Sequence, residues 1–354
     1  MHEITVNLHM HTRYSDGSGL HADLAQAALE TGVDVLLVTD HNLLARRFEG
    51  YTRRGKQRVL MLIGEELHDQ ARQPQKNHLL AFNLRREMAS LAHDPQLLID
   101  SIRRDGGLSF LAHPTDPACP PVHEAAIDWV DWQVTGYTGL ELWNGLSEFK
   151  AVSPSKLWAY FHAFFPQFIA RGPDPALLER WDALLSQGKR LAAIGGSDAH
   201  ALPVKAGPLR KHIFPYAWHF RAINTHLLLS QPLSGDLEQD RTLVYEALGQ
   251  GRAFIGYDLP VSARGFRFSA HGQSGEAQMG EEISATGGIT LQALLPQSAY
   301  GVLRKDGKPL RSWRGREAFI HHTSEAGVYR VEAFVDYLGR RRHWILSNPI
   351  YVLP

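Results

Sequence analysis

The chain has 354 residues, 44% of them hydrophobic, enough to bury one large core and a smaller second one, so two domains are expected. Its 37 lysines and arginines balance 37 aspartates and glutamates, which excludes a global basic field for a nucleic-acid backbone or an anionic membrane; an anionic substrate must be met locally. The lone cysteine, Cys119, excludes an intrachain disulfide, no run of 18 apolar residues could span a bilayer, and the first residues lack the basic and apolar regions of a signal peptide, so a cytoplasmic protein is expected.

From the start to about residue 255, short apolar runs alternate with amphipathic stretches, the pattern of strands feeding helices. Strands are expected at residues 4–10, 33–39, 59–64, 78–83, 108–112, 139–143 and 191–195, and helices at 20–31, 95–104, 155–168, 175–187 and 239–249. Gly32 stands where a helix C-terminus favours glycine. After Gly256 the texture becomes glycine-punctuated alternation, at 288–295, 328–335 and 343–346, which reads as antiparallel strands with one solvated face. The expected organisation is an α/β barrel over residues 1–256 and a β-sandwich over 257–354, divided where Asp258 and Pro260 interrupt the pattern.

Histidine is the residue in excess, with 19 copies, and it is the commonest metal ligand. His9 and His11 lie two apart on an expected strand, so both imidazoles face one side, and the strand runs on to Asp16. Thr39-Asp40-His41-Asn42 follows a buried run, at the end of a parallel strand where barrel enzymes build their sites. Glu65 and Glu66 also follow an apolar strand, His78 opens one, and two further apolar runs deliver His113-Pro114 and Ser197-Asp198-Ala199-His200. Each alone has an ordinary structural use. Together, without a cation, they would bury several charges of like sign at a cost that marginal stability does not allow.

These motifs, in this order, resemble the PHP family, the polymerase and histidinol phosphatase domain. The resemblance covers about residues 1–255, and it implies a distorted (β/α)7 TIM-like barrel holding two or three divalent ions. The ligands it implies are His9, His11, Glu65 and Asp198 at one site, Glu65, His78 and His113 at a second, and Asp16, His41 and His200 at a third. The segments 327–332 and 344–352 resemble the tail of the CehA/McbA branch, and the C-terminal antiparallel β-sandwich is expected to be immunoglobulin-like.

Clustered divalent ions lower the pKa of a shared water so that a bridging hydroxide exists near neutral pH, and mixed nitrogen and oxygen ligands suit zinc, manganese or iron. Asp198 is the expected proton-transfer carboxylate, unless it is a ligand alone. The expected function is a metal-dependent hydrolase of a small-molecule ester, a phosphoester first, because adjacent cations complement phosphate oxygens. Two alternatives remain open: a carboxylic or carbamate ester hydrolase of the CehA/McbA type, and a non-catalytic binding module stabilised by metal. Arg13, Arg46, Arg47, Lys205, Arg210 and Lys211 stand near the motif loops as candidate substrate clamps, and Trp143 with Asn144 as a candidate pocket wall. Alternation places Glu141 on the face of Trp143, where a buried carboxylate needs a partner.

Overall fold

The computed structural model describes residues 1–206 and 209–354, without the side chains of 204–211, among them those of the candidate clamps Lys205, Arg210 and Lys211. In chain order, the first half contains β1 (His2–Leu8), α1 (His21–Thr31), β2 (Val35–Val38), the hairpin β3 (Gly50–Arg54) and β4 (Gln57–Ile63), and β5 (Glu65–Leu67). It continues with β6 (Leu79–Phe82), α2 (Pro95–Arg104), β7 (Leu108–Leu111), β8 (Gly139–Asn144), α3 (Gly145–Val152), α4 (Lys156–Phe164), α5 (Pro175–Ser186) and β9 (Ala192–Gly196).

The helix boundaries follow from their caps. Leu24, Ala25, Ala28 and Leu29 bury one face of α1, Asp23 accepts a hydrogen bond from the Leu20 amide at its start, and Gly32 at φ 77° ends it. Asp94 caps α2 through the Leu97 amide at 3.0 Å, with Pro95 in the first turn. The helix expected at 155–168 stops at Phe164, because Pro166 starts a separate 3-10 turn over Pro166–Phe168.

β1, β2 and β4 pair in parallel, β4 runs on through Gly64 into β5, and the chain continues through β6, β7 and β8 to β9. The ring closes where the Ser197 amide donates to Leu8 O (3.0 Å) and the His11 amide to Ala199 O (2.9 Å). It is less regular than the expected (β/α)7 repeat: β6 runs antiparallel to both β5 and β7, and a hairpin rather than a helix precedes β4. Val6, Leu8, Val35, Leu37, Leu60, Leu62, Leu80, Phe82, Phe110 and Ile194 fill the ring as one buried cluster. The alternate residues Leu36, Val38, Val59, Met61 and Ile63 face outward onto α1.

Beyond β9 come β10 (Leu202–Ala206), β11 (Leu209–Ile213), α6 (Tyr216–His219), β12 (Ile223–Leu229), α7 (Leu237–Gly249) and β13 (Ala253–Tyr257). The remaining strands are β14 (Arg267–Gly272), β15 (Gly275–Gln278), β16 (Glu282–Ser284), β17 (Ile289–Lys305), β18 (Lys308–Thr323), β19 (Gly327–Tyr337), β20 (Arg340–Ser347) and β21 (Ile350–Leu353). They pair antiparallel apart from β16 with β21, around a cluster that includes Phe268, Leu291, Phe319, Tyr329 and Trp344. β12 pairs with β1, β13 with β12 and β20 with β13, so one sheet runs from the ring into the C-terminal strands. Buried Arg330 adds a polar tie, with Nε and Nη2 on the two oxygens of Asp182 in α5 (2.7 and 2.6 Å) and Nη1 on Glu332. Among the described residues, no helix is long and apolar enough to cross a membrane.

Candidate metal centre

The strand ends of the ring deliver the polar residues to one place. His9, His113 and Asp198 all sit at positive φ (61°, 28° and 50°), a conformation that costs energy for residues other than glycine. At His9 this breaks the strand alternation, and at His113 and Asp198 it turns the backbone just past β7 and β9. Asp40 holds the loop between His11 and Asp16: its oxygens accept hydrogen bonds from the Thr12 amide, Thr12 Oγ1 and Ser15 Oγ, each at 2.7 Å.

Glu66 lies at the middle of the cluster and is fully buried. Its Oε1 is 2.7 Å from His78 Nδ1 and 2.9 Å from His113 Nε2. Its Oε2 is 3.0 Å from His9 Nε2, 3.1 Å from His11 Nε2 and 3.3 Å from His41 Nδ1. Asp198 Oδ1 faces His9 and His11 at 3.5 and 3.3 Å, and Asp16 faces His41 and His200 at 3.5 and 3.3 Å.

Among the described residues, four groups can each hold a metal ion: His9, His11, Glu66 and Asp198; Glu66, His78 and His113; His11, Asp16, His41 and His200; and His41, His68 and His78. Glu66 belongs to two of them. Both ring nitrogens of His11 are buried without a hydrogen-bond partner, although Nε2 lies within 3.3 Å of two carboxylate oxygens. Lone pairs that converge at such spacing without hydrogen-bond geometry match the edges of a coordination shell with bonds of ~2.1 Å. The donor set of imidazoles and carboxylates therefore fits divalent transition metals.

The electrostatics agree with that fit. Burial pushes Glu66 and Asp198 up, but the surrounding histidines, His9 foremost, outweigh it and hold both carboxyls well below their ordinary values. Burial pushes His78 and His68 down to about 4, which keeps both imidazoles neutral. His113 is also opposed by burial, yet Glu66 raises it to about 9, so a cation binding there displaces a proton.

The structure brings together His9, His11, Asp16, His41, His78, His113, Asp198 and His200, but not Glu65. Glu65 points out of the ring toward Glu87, and burial together with that neighbour pushes its carboxyl up to about 10. The position expected for it belongs to Glu66. The strand period carries the signal: Leu60 and Leu62 face the interior, so Gly64 and Glu66 follow them and Glu65 does not.

Sequence reasoning also missed His68, which stacks on His78 with ring centroids 4.4 Å apart and is fixed by paired hydrogen bonds between its backbone and the Asn42 side chain, each 3.0 Å. Glu141 finds its partner in His9, with Oε1 2.9 Å from Nδ1, while Oε2 accepts from the His113 amide (2.8 Å) and Asn144 Nδ2 (3.0 Å). Gly196 has no side chain because a Cβ there would collide with Glu141 Oε1. A register irregularity between Glu141 and Trp143 separates the two, contrary to simple alternation; Trp143 joins the outer core and donates its indole N–H to Glu148 (2.6 Å).

Asn144 is buried at the centre, with Nδ2 3.3 Å from Asp198 Oδ2, and its Oδ1 caps α3 through the Ser147 amide (2.8 Å). Arg13 is exposed, Arg46 pairs with Glu49 at 3.3 Å, and Arg47 donates to Tyr14 Oη at 2.6 Å.

The PHP domain model matches residues 7–102, the segment that carries His9, His11, Asp16, His41, Glu66 and His78. No curated protein matches the chain. Among solved structures, the chain is similar to a two-domain protein from Bacteroides vulgatus containing a predicted PHP-like metal-dependent phosphoesterase, at 14% identity and a TM-score of 0.46, over 98% of this chain and 95% of that one. It is also similar to a proposed metal-dependent phosphoesterase from Bifidobacterium adolescentis, at 15% identity and a TM-score of 0.34, over 58% of this chain and 92% of that one. A third is an amidohydrolase from Chromobacterium violaceum with bound sulfate and no metal, at 16% identity and a TM-score of 0.29, over 55% of this chain and 87% of that one. On the family match over residues 7–102, the chain carries a PHP domain.

Proposed function

We propose that the chain is a metal-dependent hydrolase acting on small phosphoesters, with His9, His11, Asp16, His41, Glu66, His78, His113, Asp198 and His200 as the ligands of a di- or trinuclear centre. The observation that carries this reading is the Glu66 carboxylate, whose two oxygens lie within 3.3 Å of nitrogens on five histidines and serve two ligand groups at once. A structural metal closes its shell with four ligands; nine, one of them a shared carboxylate, suit adjacent ions with positions left for water and substrate.

Divalent ions held there supply Lewis-acid activation of water and neutralise charge on the phosphoryl oxygens. The chain's own groups do the rest. Asp198, kept ionised by the neighbouring histidines, has its Oδ2 beside the Asn144 amide and takes the proton released by the attacking water. Glu141 and Asn144 orient His9 and Asp198 from behind. The ring's apolar filling keeps bulk water from the back of the site.

The test is a panel of phosphate monoesters, phosphate diesters, aryl carboxylates and carbamates given to metal-loaded protein. The expected result is phosphoester turnover with competitive inhibition by phosphate at millimolar concentration or below, roughly. Faster turnover of aryl esters, with phosphate binding no better than sulfate, would replace this reading with a carboxylic or carbamate ester hydrolase. No turnover of any ester by protein loaded with metal would leave a binding module.

A further inference from the structure

A cavity of ≈ 520 Å³ opens beside His113 and Asn144 and runs away from the ligand cluster between β8, α3, α5 and β20. A phosphate group fills only a small part of such a volume, which lies in the range of pockets that enclose whole small molecules. Its walls are largely apolar, with Leu142, Pro173 and Leu177 among them, so the group it accepts has an apolar body.

Two features show that the far end is built rather than left over from packing. Glu148 lines it, with Oε1 accepting from the Arg171 and Gly172 amides (the second at 3.0 Å) and Oε2 from Trp143 Nε1 at 2.6 Å. Three of about four acceptor positions of this carboxylate are filled, and one remains on Oε2 for a donor. The second feature is His343 of β20, which closes the cavity from the C-terminal strands. Its amide donates to Arg171 O at 2.9 Å, its ring lies 4.3 Å from Phe334 by centroids, and Gly172 has no Cβ because one would strike the imidazole.

We infer that this cavity is a subsite for the group esterified to phosphate, an aryl or alicyclic group carrying a hydroxyl or amino donor for Glu148, and that His343 makes the C-terminal strands part of substrate selection. The inference rests on the phosphoesterase reading, and its test is kept separate from turnover. Binding of methylphosphonate, phenylphosphonate and 4-hydroxyphenylphosphonate to the metal-loaded full chain is measured by calorimetry for wild type, Ala151→Trp, His343→Ala and Glu148→Gln. Ala151 lines the cavity from α3 and is exposed to it, so tryptophan there fills the space.

Wild type is expected to bind phenylphosphonate at least about tenfold more tightly than methylphosphonate, and the 4-hydroxy compound more tightly still. Ala151→Trp removes the aryl preference and leaves methylphosphonate within about twofold; His343→Ala reduces the preference severalfold; Glu148→Gln removes the gain from the hydroxyl. Equal binding of methyl- and phenylphosphonate by wild type, or no binding of the aryl compounds, overturns the subsite. So does an equal loss for all three ligands in Ala151→Trp and His343→Ala. Failure of the phosphoesterase reading shows itself elsewhere, as wild type binding these ligands but not turning over phenyl phosphate.

Discussion

Replacing His226 by Gln isolates one buried charge on the side of the ring away from the ligand cluster. His226 on β12 is 1% exposed and lies between Glu3 Oε1 (2.9 Å from Nδ1) and Asp258 Oδ2 (3.0 Å from Nε2), tying β1 to the segment that follows β13. Burial opposes its protonation, but Asp258 and Glu3 win and raise the imidazole from 6.5 to about 9. The folded-state value is raised, so the stability it contributes is fully present below pH 6.5 and is lost as the pH climbs toward 9. Within that window the folded protein holds one more proton than the unfolded chain, so stability falls by ~1.4 kcal/mol per pH unit and by about 3 kcal/mol in all. The assay is urea unfolding of wild type and His226→Gln between pH 6 and 9.5. Groups common to both proteins cancel in the difference, and the wild-type slope is expected to be the steeper by about one proton. Parallel slopes in the two proteins would refute the assignment of a charged His226.

Glu141→Gln keeps the shape beside His9 but removes the charge that orients its ring, and is expected to weaken metal affinity about 10- to 100-fold with the fold unchanged, read by chelator competition and circular dichroism. Arg330→Met leaves Asp182 buried without its bidentate partner and is expected to cost roughly 3–5 kcal/mol by urea unfolding. A loss below ~1 kcal/mol would mean that the polar tie between α5 and β19 is not needed.

Much of the site was legible because strand ends punctuate the sequence: an apolar run followed by His41, His113 or Asp198 marks both the element and the place its last residue reaches. The choice between Glu65 and Glu66 was legible too, through the parity of Leu60 and Leu62, but a motif read as a pattern of letters passes over which face each residue takes. Glu141 and Trp143 show the opposite limit: a local register irregularity inside β8 cancels the alternation, and nothing in the residues 139–144 announces it. His68 is placed by the Asn42 side chain, which fixes its backbone across 26 residues of sequence, a pairing that the local pattern does not report. The antiparallel run of β5, β6 and β7 depends on pairings between distant strands, whereas the sequence reports each strand by itself.

In the proposed function Glu66, and not its neighbour, is the carboxylate shared by adjacent metal ions. Elemental analysis of purified wild type, Glu66→Ala and Glu65→Gln separates the two residues. Glu65 keeps its proton near neutral pH, since burial and Glu87 push it up to about 10, and glutamine replaces it at little cost. About two or more transition-metal ions per chain are expected in wild type and in Glu65→Gln, with the complement lost or cut to about one in folded Glu66→Ala. A wild type carrying one ion or none after growth in supplemented medium, or a Glu66→Ala protein that keeps the full complement, would contradict it.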